Sequence, residues 1–285
     1  MDGTKTVLIT GATGFIGRAT VEALAGMGWQ AIRGTRVLGS PKLPQKTVHL
    51  DLADPATILV LAKGPRCDAI IHLGAYIGWS GADESEMFVP NVLSTGCLAH
   101  LAHLWGARLI YASAAIVHGL RNVTIKLDSP VCTDTAYGKS KWLGEKVIQA
   151  SHVDHCILRI AGVFGYSGPV HLGLNRAIDG SIKGEVPIQI GSGMALRNYI
   201  YVKDVAQAIV FALQKELDGI HLVAGHEALP VHEMLKAVCE IFIPESTPLS
   251  KEGGAAMDQL IEPSAALPKT RPFRDALLDI QKGSR

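Results

Sequence analysis

Two stretches of the chain place chemically capable residues at informative spacings. In "VLITGATGFIGRAT" (7–20), Gly11, Gly14 and Gly17 stand between an apolar run and a segment of helical period. Glycines in that position let the backbone turn sharply, approach a phosphate closely and pack a helix on a strand. The helix start behind them offers N–H groups and the positive end of its dipole, which suits a pyrophosphate. The spacing G-x-x-G-x-x-G is one residue longer than the familiar dinucleotide fingerprint, and a glycine triplet alone also fits a plain tight turn. In "AYGKSKWLGEKVIQAS" (136–151), Tyr137 and Lys141 lie four apart on a helix, so both side chains leave one face and can meet at one point. An ammonium nearby favours the phenolate and moves tyrosine from its ordinary pKa of about 10 toward acid–base use. Taken alone, such a pair is usually a surface contact.

These residues need a scaffold, and the hydrophobic pattern supplies one. Apolar β-branched runs predict strands near 6–10, 30–35, 46–50, 68–73, 107–112 and 155–160. Between them, 15–28, 55–64, 91–106 and 136–151 carry apolar residues at helical spacing. The alternation predicts an α/β fold, a doubly wound parallel sheet. After Gly165 glycines accumulate and strand signals thin, which suggests chain leaving the sheet, while "RNYIYVKDVAQAIVFAL" (197–213) returns to strand-then-helix. The expected organisation is a dinucleotide-binding domain over 1–165 to which 194–222 returns. A smaller C-terminal substrate lobe is expected from 166–193 and 223–285.

The composition narrows the function. With 285 residues, 48% hydrophobic and 19% charged, the chain is that of a globular enzyme. A net charge of +1 offers no basic face for nucleic acid and no polybasic membrane patch, so a small-molecule substrate is the expected partner. No apolar run approaches the roughly 20 residues that span a bilayer. The five cysteines form no C-x-x-C pair, so a reducing, cytoplasmic setting is expected, with neither disulfide nor metal site. His100-x-x-His103 and His152-x-x-His155 lack a third ligand and read as a solvated helix face and a helix end.

Together, "TGATGFIG" and "YGKSK" (137–141) resemble the extended short-chain dehydrogenase/reductase superfamily, in particular its NAD(P)-dependent nucleotide-sugar epimerases and dehydratases. Further motifs follow in register: "HLDLAD", "AIIHLGAY" (69–76), "VPNVLSTGCL" with Asn91, "LRIAGVFG" (158–165) and "IGSGMALRNYIYVKDVAQAI" (190–209). The resemblance implies that Thr13, Phe15 and Ile16 join the three glycines around the cofactor. It also implies that Asp51 meets the adenine amine beside Leu52, that Leu73 and Ala75 flank a ribose, and that Lys141 bonds the nicotinamide ribose while Tyr137 handles a proton. It further gives Arg197 to a substrate diphosphate, although an ion pair with Asp204 is an equally good reading of that arginine. Tyr76 and Trp79, after the fourth strand, could line the pocket or cap the core. Helices 91–106 and 136–151 pair across a dimer in many such proteins, so a homodimer is expected.

The chain departs from that pattern in several places. The family's Ser or Thr after the fifth strand falls on Ala114 in "YASAAIVHG" (111–119), with Ser113 one place earlier. Regular strand alternation would turn Ser113 away from the site, and a bulge could re-aim it as the missing catalytic donor. His118 stands where the family has tyrosine and is either a substrate-side donor or a packing residue. The family's asparagine in the "LRP.NVYG" pattern is Gly162, and the segment beyond 223 is short, which suits a smaller ligand. The second strand ends "AIRGTR" without the acid that bonds a ribose 2′-hydroxyl. Thr35 and Arg36, helped by Arg33 and Arg18, would suit a 2′-phosphate, so NADP is the expected cofactor, with NAD as the alternative. The activity expected is hydride transfer at a carbinol or ketone carbon of a nucleotide-sugar-like substrate. Reduction of a small non-nucleotide ketone or aldehyde, or NADP(H) sensing without turnover, remain open.

Overall fold

The structure is a computed structural model describing residues 4–36, 46–78, 84–121, 123–254 and 256–284. Its centre is a seven-stranded parallel sheet in the order Gly219–Val223, His155–Ile160, Arg108–Ala114, Ala69–His72, Lys5–Thr10, Trp29–Thr35, Thr47–His49. The chain begins mid-sheet, builds outward through Thr47–His49, then crosses to the other side of Lys5–Thr10. Strand order therefore reverses between Lys5–Thr10 and Ala69–His72, and a crevice opens there at the carboxyl ends of the strands.

Both faces of the sheet are covered. Val7 and Ile9 join one apolar cluster with Leu24 and Val205, whereas Leu8 joins the opposite one with Leu98 and Ile148. Strands buried on two sides must be apolar at every position, which is why these runs are continuous rather than alternating. Helix Phe273–Gly283 buries Phe273, Ala276, Leu277 and Ile280 in the first of these clusters. No helix among the described residues is long and apolar enough to cross a membrane.

The six strands expected from sequence are present, but the seventh was missed. Gly219–Val223 is an edge strand in which only Leu222 and Val223 are buried; a left-handed residue, Glu216 (φ 50°), precedes it and another, Gly219 (φ 79°), opens it. So short an apolar signal is easily lost. The expected strand in "RNYIYV" is only Ile200–Tyr201, which pairs with Val163–Phe164 outside the main sheet and leads into helix Val202–Gln214. The helix expected over 91–106 opens with a π turn, Val89–Leu93, and continues as Ser94–Trp105. Beyond Gly165, helix Gly173–Ile182 and strand Ile188–Ile190 precede the return, and Ile188–Ile190 pairs with Leu249–Lys251.

Two glycines of the first turn are fixed by geometry. Gly11 has φ +66°, and a Cβ on it would lie 2.7 Å from the Gly74 nitrogen, so the first and fourth strand ends meet backbone to backbone. A Cβ on Gly17 would overlap the Gly11 carbonyl oxygen and lie 2.7 Å from Ala12 Cα. Gly17→Ala is therefore expected to lower the unfolding free energy by ~1–3 kcal/mol through overpacking. The check is a denaturant midpoint measured at unchanged slope.

Candidate active site

The glycine turn folds as a cradle. Gly14 donates its N–H to the Gly11 carbonyl at 2.9 Å and caps helix Phe15–Ala25 in an extended conformation. No side chain caps that helix and its first turn holds no acid, so the leading N–H groups, including those of Phe15, Ile16 and Gly17, have no intrahelical acceptor. Arg18 Nη1 bonds the Thr13 carbonyl at 2.9 Å and steadies the turn. A crowded all-glycine approach beneath a helix start free of negative charge fits a pyrophosphate in shape and in potential.

The neighbouring walls come from the next strand ends. Half-buried Leu73 and Ala75 follow Ala69–His72 directly. Leu52 packs toward Gly74, where a Cβ would lie 2.7 Å from Leu52 Cδ1, and its carbonyl accepts from Ser94 Oγ at 2.7 Å. Asp51 braces its own turn, with Oδ1 accepting the Ala53 N–H and its own N–H donating to Thr57 Oγ1, both at 2.9 Å. Arg36 is exposed in the bend after Trp29–Thr35.

Beneath the cradle runs a directional chain of hydrogen bonds. Thr10 Oγ1 accepts the Gly74 N–H at 3.1 Å and gives its own proton to His72 Nδ1 at 2.7 Å. His72 Nε2–H then donates to Thr95 Oγ1 at 3.0 Å, and Thr95 donates to the Asn91 carbonyl at 2.7 Å. His72 is wholly buried, and burial, followed by the charge of Lys141, holds its pKa well below the usual imidazole range. The buried Asn91 side chain accepts the Tyr76 N–H and donates to the Tyr76 carbonyl, both at 2.7 Å, and also donates to Ser140 Oγ at 3.0 Å. The loop after the fourth strand is thereby tied to the residue preceding Lys141.

Tyr137 and Lys141 project from helix Ala136–Ala150, whose start is capped by Thr135 Oγ1 accepting the Gly138 N–H at 3.0 Å. Lys141 lies against Tyr111 of the strand Arg108–Ala114, its Nζ 4.1 Å from the ring centroid, and Tyr137 is near enough to help raise the Tyr111 phenol. Lys141 is only 2% exposed, and burial pushes it down to about 7 against the opposing pull of Glu145. Burial pushes the Tyr137 phenol up to about 12. The spacing predicts that the ammonium draws the phenol down, whereas in this structure burial dominates both groups and moves the phenol the other way.

A family profile described as "NAD dependent epimerase/dehydratase family" matches residues 7–225. The chain belongs to this family. Membership bears out the resemblance drawn from the motifs: an NAD(P)-dependent enzyme of the extended short-chain dehydrogenase/reductase type on a doubly wound sheet, with a nicotinamide dinucleotide as cofactor class. The dTDP-6-deoxy-L-talose 4-dehydrogenase (NAD(P)(+)) of Kitasatospora kifunensis is 28% identical over 221 residues, covering 72% of this chain and 69% of the relative. The fold is shared with UDP-N-acetylglucosamine 4-epimerase from Bacillus cereus at TM-score 0.85 and 22% identity, over 99% of each chain. The Bacillus cereus UDP-glucuronic acid 4-epimerase solved with NAD superposes at 0.81 and 21% identity, over 98% of this chain and 99% of that one.

Against the family pattern, two site expectations need correction. Ser113 was expected as a stand-in catalytic donor, but the strand runs regularly through Ala114 (φ −134°, ψ 140°) and no bulge re-aims it. Its buried hydroxyl donates to Glu145 Oε1 at 2.5 Å. His118, expected on the substrate side, is wholly buried, with Nδ1 bonded to the Pro130 carbonyl and Nε2 accepting from Arg159 Nη1, each at 3.0 Å. Arg159 also grips Glu145 with two nitrogens, at 3.0 and 2.7 Å. Ser113 and His118 thus satisfy a buried ion pair instead of facing ligand, and Ala114 leaves the family's hydroxyl position apolar. Glu145 and Arg159 were missed in the sequence, although Tyr137, Lys141 and Glu145 at successive fours mark one continuous helix face.

On the substrate side, Tyr76 is 41% exposed and its hydroxyl donates to Glu86 Oε2 at 3.0 Å; Trp79 lies outside the described residues. Arg197 does not pair with Asp204, which binds Arg271 Nε at 2.7 Å. It donates through Nη1 to the Leu196 and Met257 carbonyls at 2.7 Å each, and its guanidinium also bonds the Tyr199 hydroxyl. Gly162 is explained by the same residue, because a Cβ there would lie 2.5 Å from the Tyr199 ring. A separate cleft of about 830 Å³, between helices Val202–Gln214 and Phe273–Gly283, contains neither the cradle nor the Tyr137–Lys141 pair.

The buried ion pair generates a stability prediction. Arg159→Met leaves the Glu145 carboxylate in the core with only Ser113, and breaking one partner of such a pair costs ~3–5 kcal/mol. Adding Glu145→Leu should recover most of the loss, as judged by denaturant unfolding of both variants.

Proposed function

We propose that this enzyme uses NADP(H) to oxidise or reduce a carbinol or ketone carbon of a nucleotide-sugar-like substrate. The observation that carries the reading is the placement of half-buried Tyr137 and buried Lys141 on one helix face, joined to the glycine cradle by the chain from Thr10 to Asn91. Gly11, Thr13, Gly14, Phe15, Ile16 and Gly17 would hold the pyrophosphate. Asp51 and Leu52 would lie at the adenine, and Leu73 and Ala75 at a ribose. Arg36 would meet a 2′-phosphate, which an exposed guanidinium after a strand end without an acid suits. When bound there, the cofactor would supply hydride exchange with the substrate carbon. Tyr137 takes the hydroxyl proton during oxidation and returns it during reduction. Lys141 supplies positive charge beside that oxygen and holds the ribose hydroxyls.

Substrate would enter over Tyr76, with Arg197 at its phosphates, in a lobe built from 166–193 and 223–285. Hydride returned to the opposite face within one site gives epimerisation, whereas release of the cofactor gives reduction or dehydrogenation. Leu93 and Leu104, 47% and 46% exposed, leave apolar surface for a homodimer through the helices that carry them and Tyr137. The five free cysteines suit a reducing, cytoplasmic setting.

A thermal-shift comparison of NAD(H), NADP(H) and nucleoside diphosphate sugars tests the reading. A dinucleotide at 100 times its Kd adds about 2.7 kcal/mol of apparent stability. NADPH should protect more than NADH, and Arg36→Ala should abolish the difference. Tyr137→Phe should lower turnover by ~10²–10⁴ while leaving that protection intact. A protein that no pyridine nucleotide protects at millimolar concentration overturns the proposal.

Ala114 favours a second reading, a cofactor-binding protein that turns over slowly or not at all. Ala114→Ser restores a donor to the reacting oxygen and should raise kcat by up to ~10²–10³ if that group alone is lacking. In a pure sensor, Tyr137→Phe and Ala114→Ser would both leave activity at background.

A further inference from the structure

Lys141 is buried, and its Nζ makes no hydrogen bond among the described residues. What lies beneath its Nζ is the face of Tyr111, 4.1 Å from the ring centroid. Tyr111 is itself fully buried and held on several sides. Its hydroxyl reaches the Lys141 carbonyl at 3.5 Å and hydrogen-bonds with Thr95, and its ring stands 5.3 Å from that of His72. The helix makes room for it at Gly144, where a Cβ would lie 2.5 Å from the Tyr111 hydroxyl. A notch in the helix, a hydroxyl tether and an imidazole neighbour fix the ring directly under the cation.

We propose that Tyr111 is a positioning residue for the reaction, its ring face seating Lys141 as an ammonium beside Tyr137. The inference rests on the proposed role of Lys141 and names what sustains it. An aromatic quadrupole attracts a desolvated cation strongly because water no longer competes. The other titratable or charged groups facing Lys141 act as follows. Glu145, one turn further along the helix, favours the ammonium but is committed to Arg159 and Ser113. His72, from the strand Ala69–His72, is held neutral by burial and by the charge of Lys141 itself, and adds no charge of its own. Tyr137, on the same helix, is held in its neutral form by burial. Tyr111 therefore supplies the close, uncommitted attraction that offsets the burial of Lys141.

The test is a direct titration of Lys141 in the full-length protein by heteronuclear NMR of isotopically labelled lysine, the signal being assigned by its absence from Lys141→Met. Tyr111→Phe keeps the ring face and should leave the midpoint within a few tenths of a pH unit. Tyr111→Leu should lower it by about one pH unit. Tyr111→trifluorophenylalanine keeps the shape, weakens the quadrupole and should lower the midpoint too, so it decides the matter if the leucine variant fails to fold. One midpoint shared by all the folded variants overturns the proposal. Activity of Lys141→Met is a separate measurement: full turnover there overturns the catalytic reading of the lysine, while a midpoint that follows the ring still supports Tyr111 as its seat.

Discussion

Two opposite charges, Lys141 and Glu145, are buried one turn apart on a single face of helix Ala136–Ala150, and most of the site follows from what compensates them. A charge taken out of water must be paired, hydrogen-bonded or neutralised. Glu145 is paired: Arg159 grips it from the strand His155–Ile160 and Ser113 closes it from the adjacent strand Arg108–Ala114. Lys141 has the Tyr111 face and, in the proposed complex, the cofactor's ribose. Because these partners come from separate strands, the helix cannot slide or rotate without exposing one charge to an apolar wall.

The same network explains residues that otherwise look out of place. A serine and a histidine at the end of the fifth strand invite a catalytic reading, but the Arg159–Glu145 pair consumes both. Arg159 reaches past Glu145 to His118, and His118 anchors the Pro130 carbonyl, so the loop leading into the Tyr137 helix is fixed from below. On the other side, the chain from Thr10 through His72 and Thr95 to Asn91 couples the cradle to that helix through Ser140. The glycine turn and the helix that carries Tyr137 and Lys141 are parts of one hydrogen-bonded body.

The substrate side is built differently. Tyr199 occupies the space that Gly162 vacates, and Arg197 is held by carbonyls of its own and the Met257 segment. An arginine already bonded to two carbonyls and the Tyr199 hydroxyl offers a narrower grip on phosphate than a free planar fork. Together with the apolar Ala114, this sets the proposed substrate side apart from the family pattern.

The sequence by itself determined the doubly wound sheet, the cradle and the helix face carrying Tyr137 and Lys141. Each of these is a local pattern: a continuous apolar run, glycines at a strand-to-helix turn, or a spacing of four on a helix. Only the tertiary structure decided that Ser113 and His118 turn inward, that Asp204 belongs to Arg271, that Gly219–Val223 completes the sheet and that Tyr111 lies under Lys141. Those outcomes depend on contacts between residues tens of positions apart, where burial and the need to satisfy each buried polar group select among partners that spacing along the chain leaves equivalent.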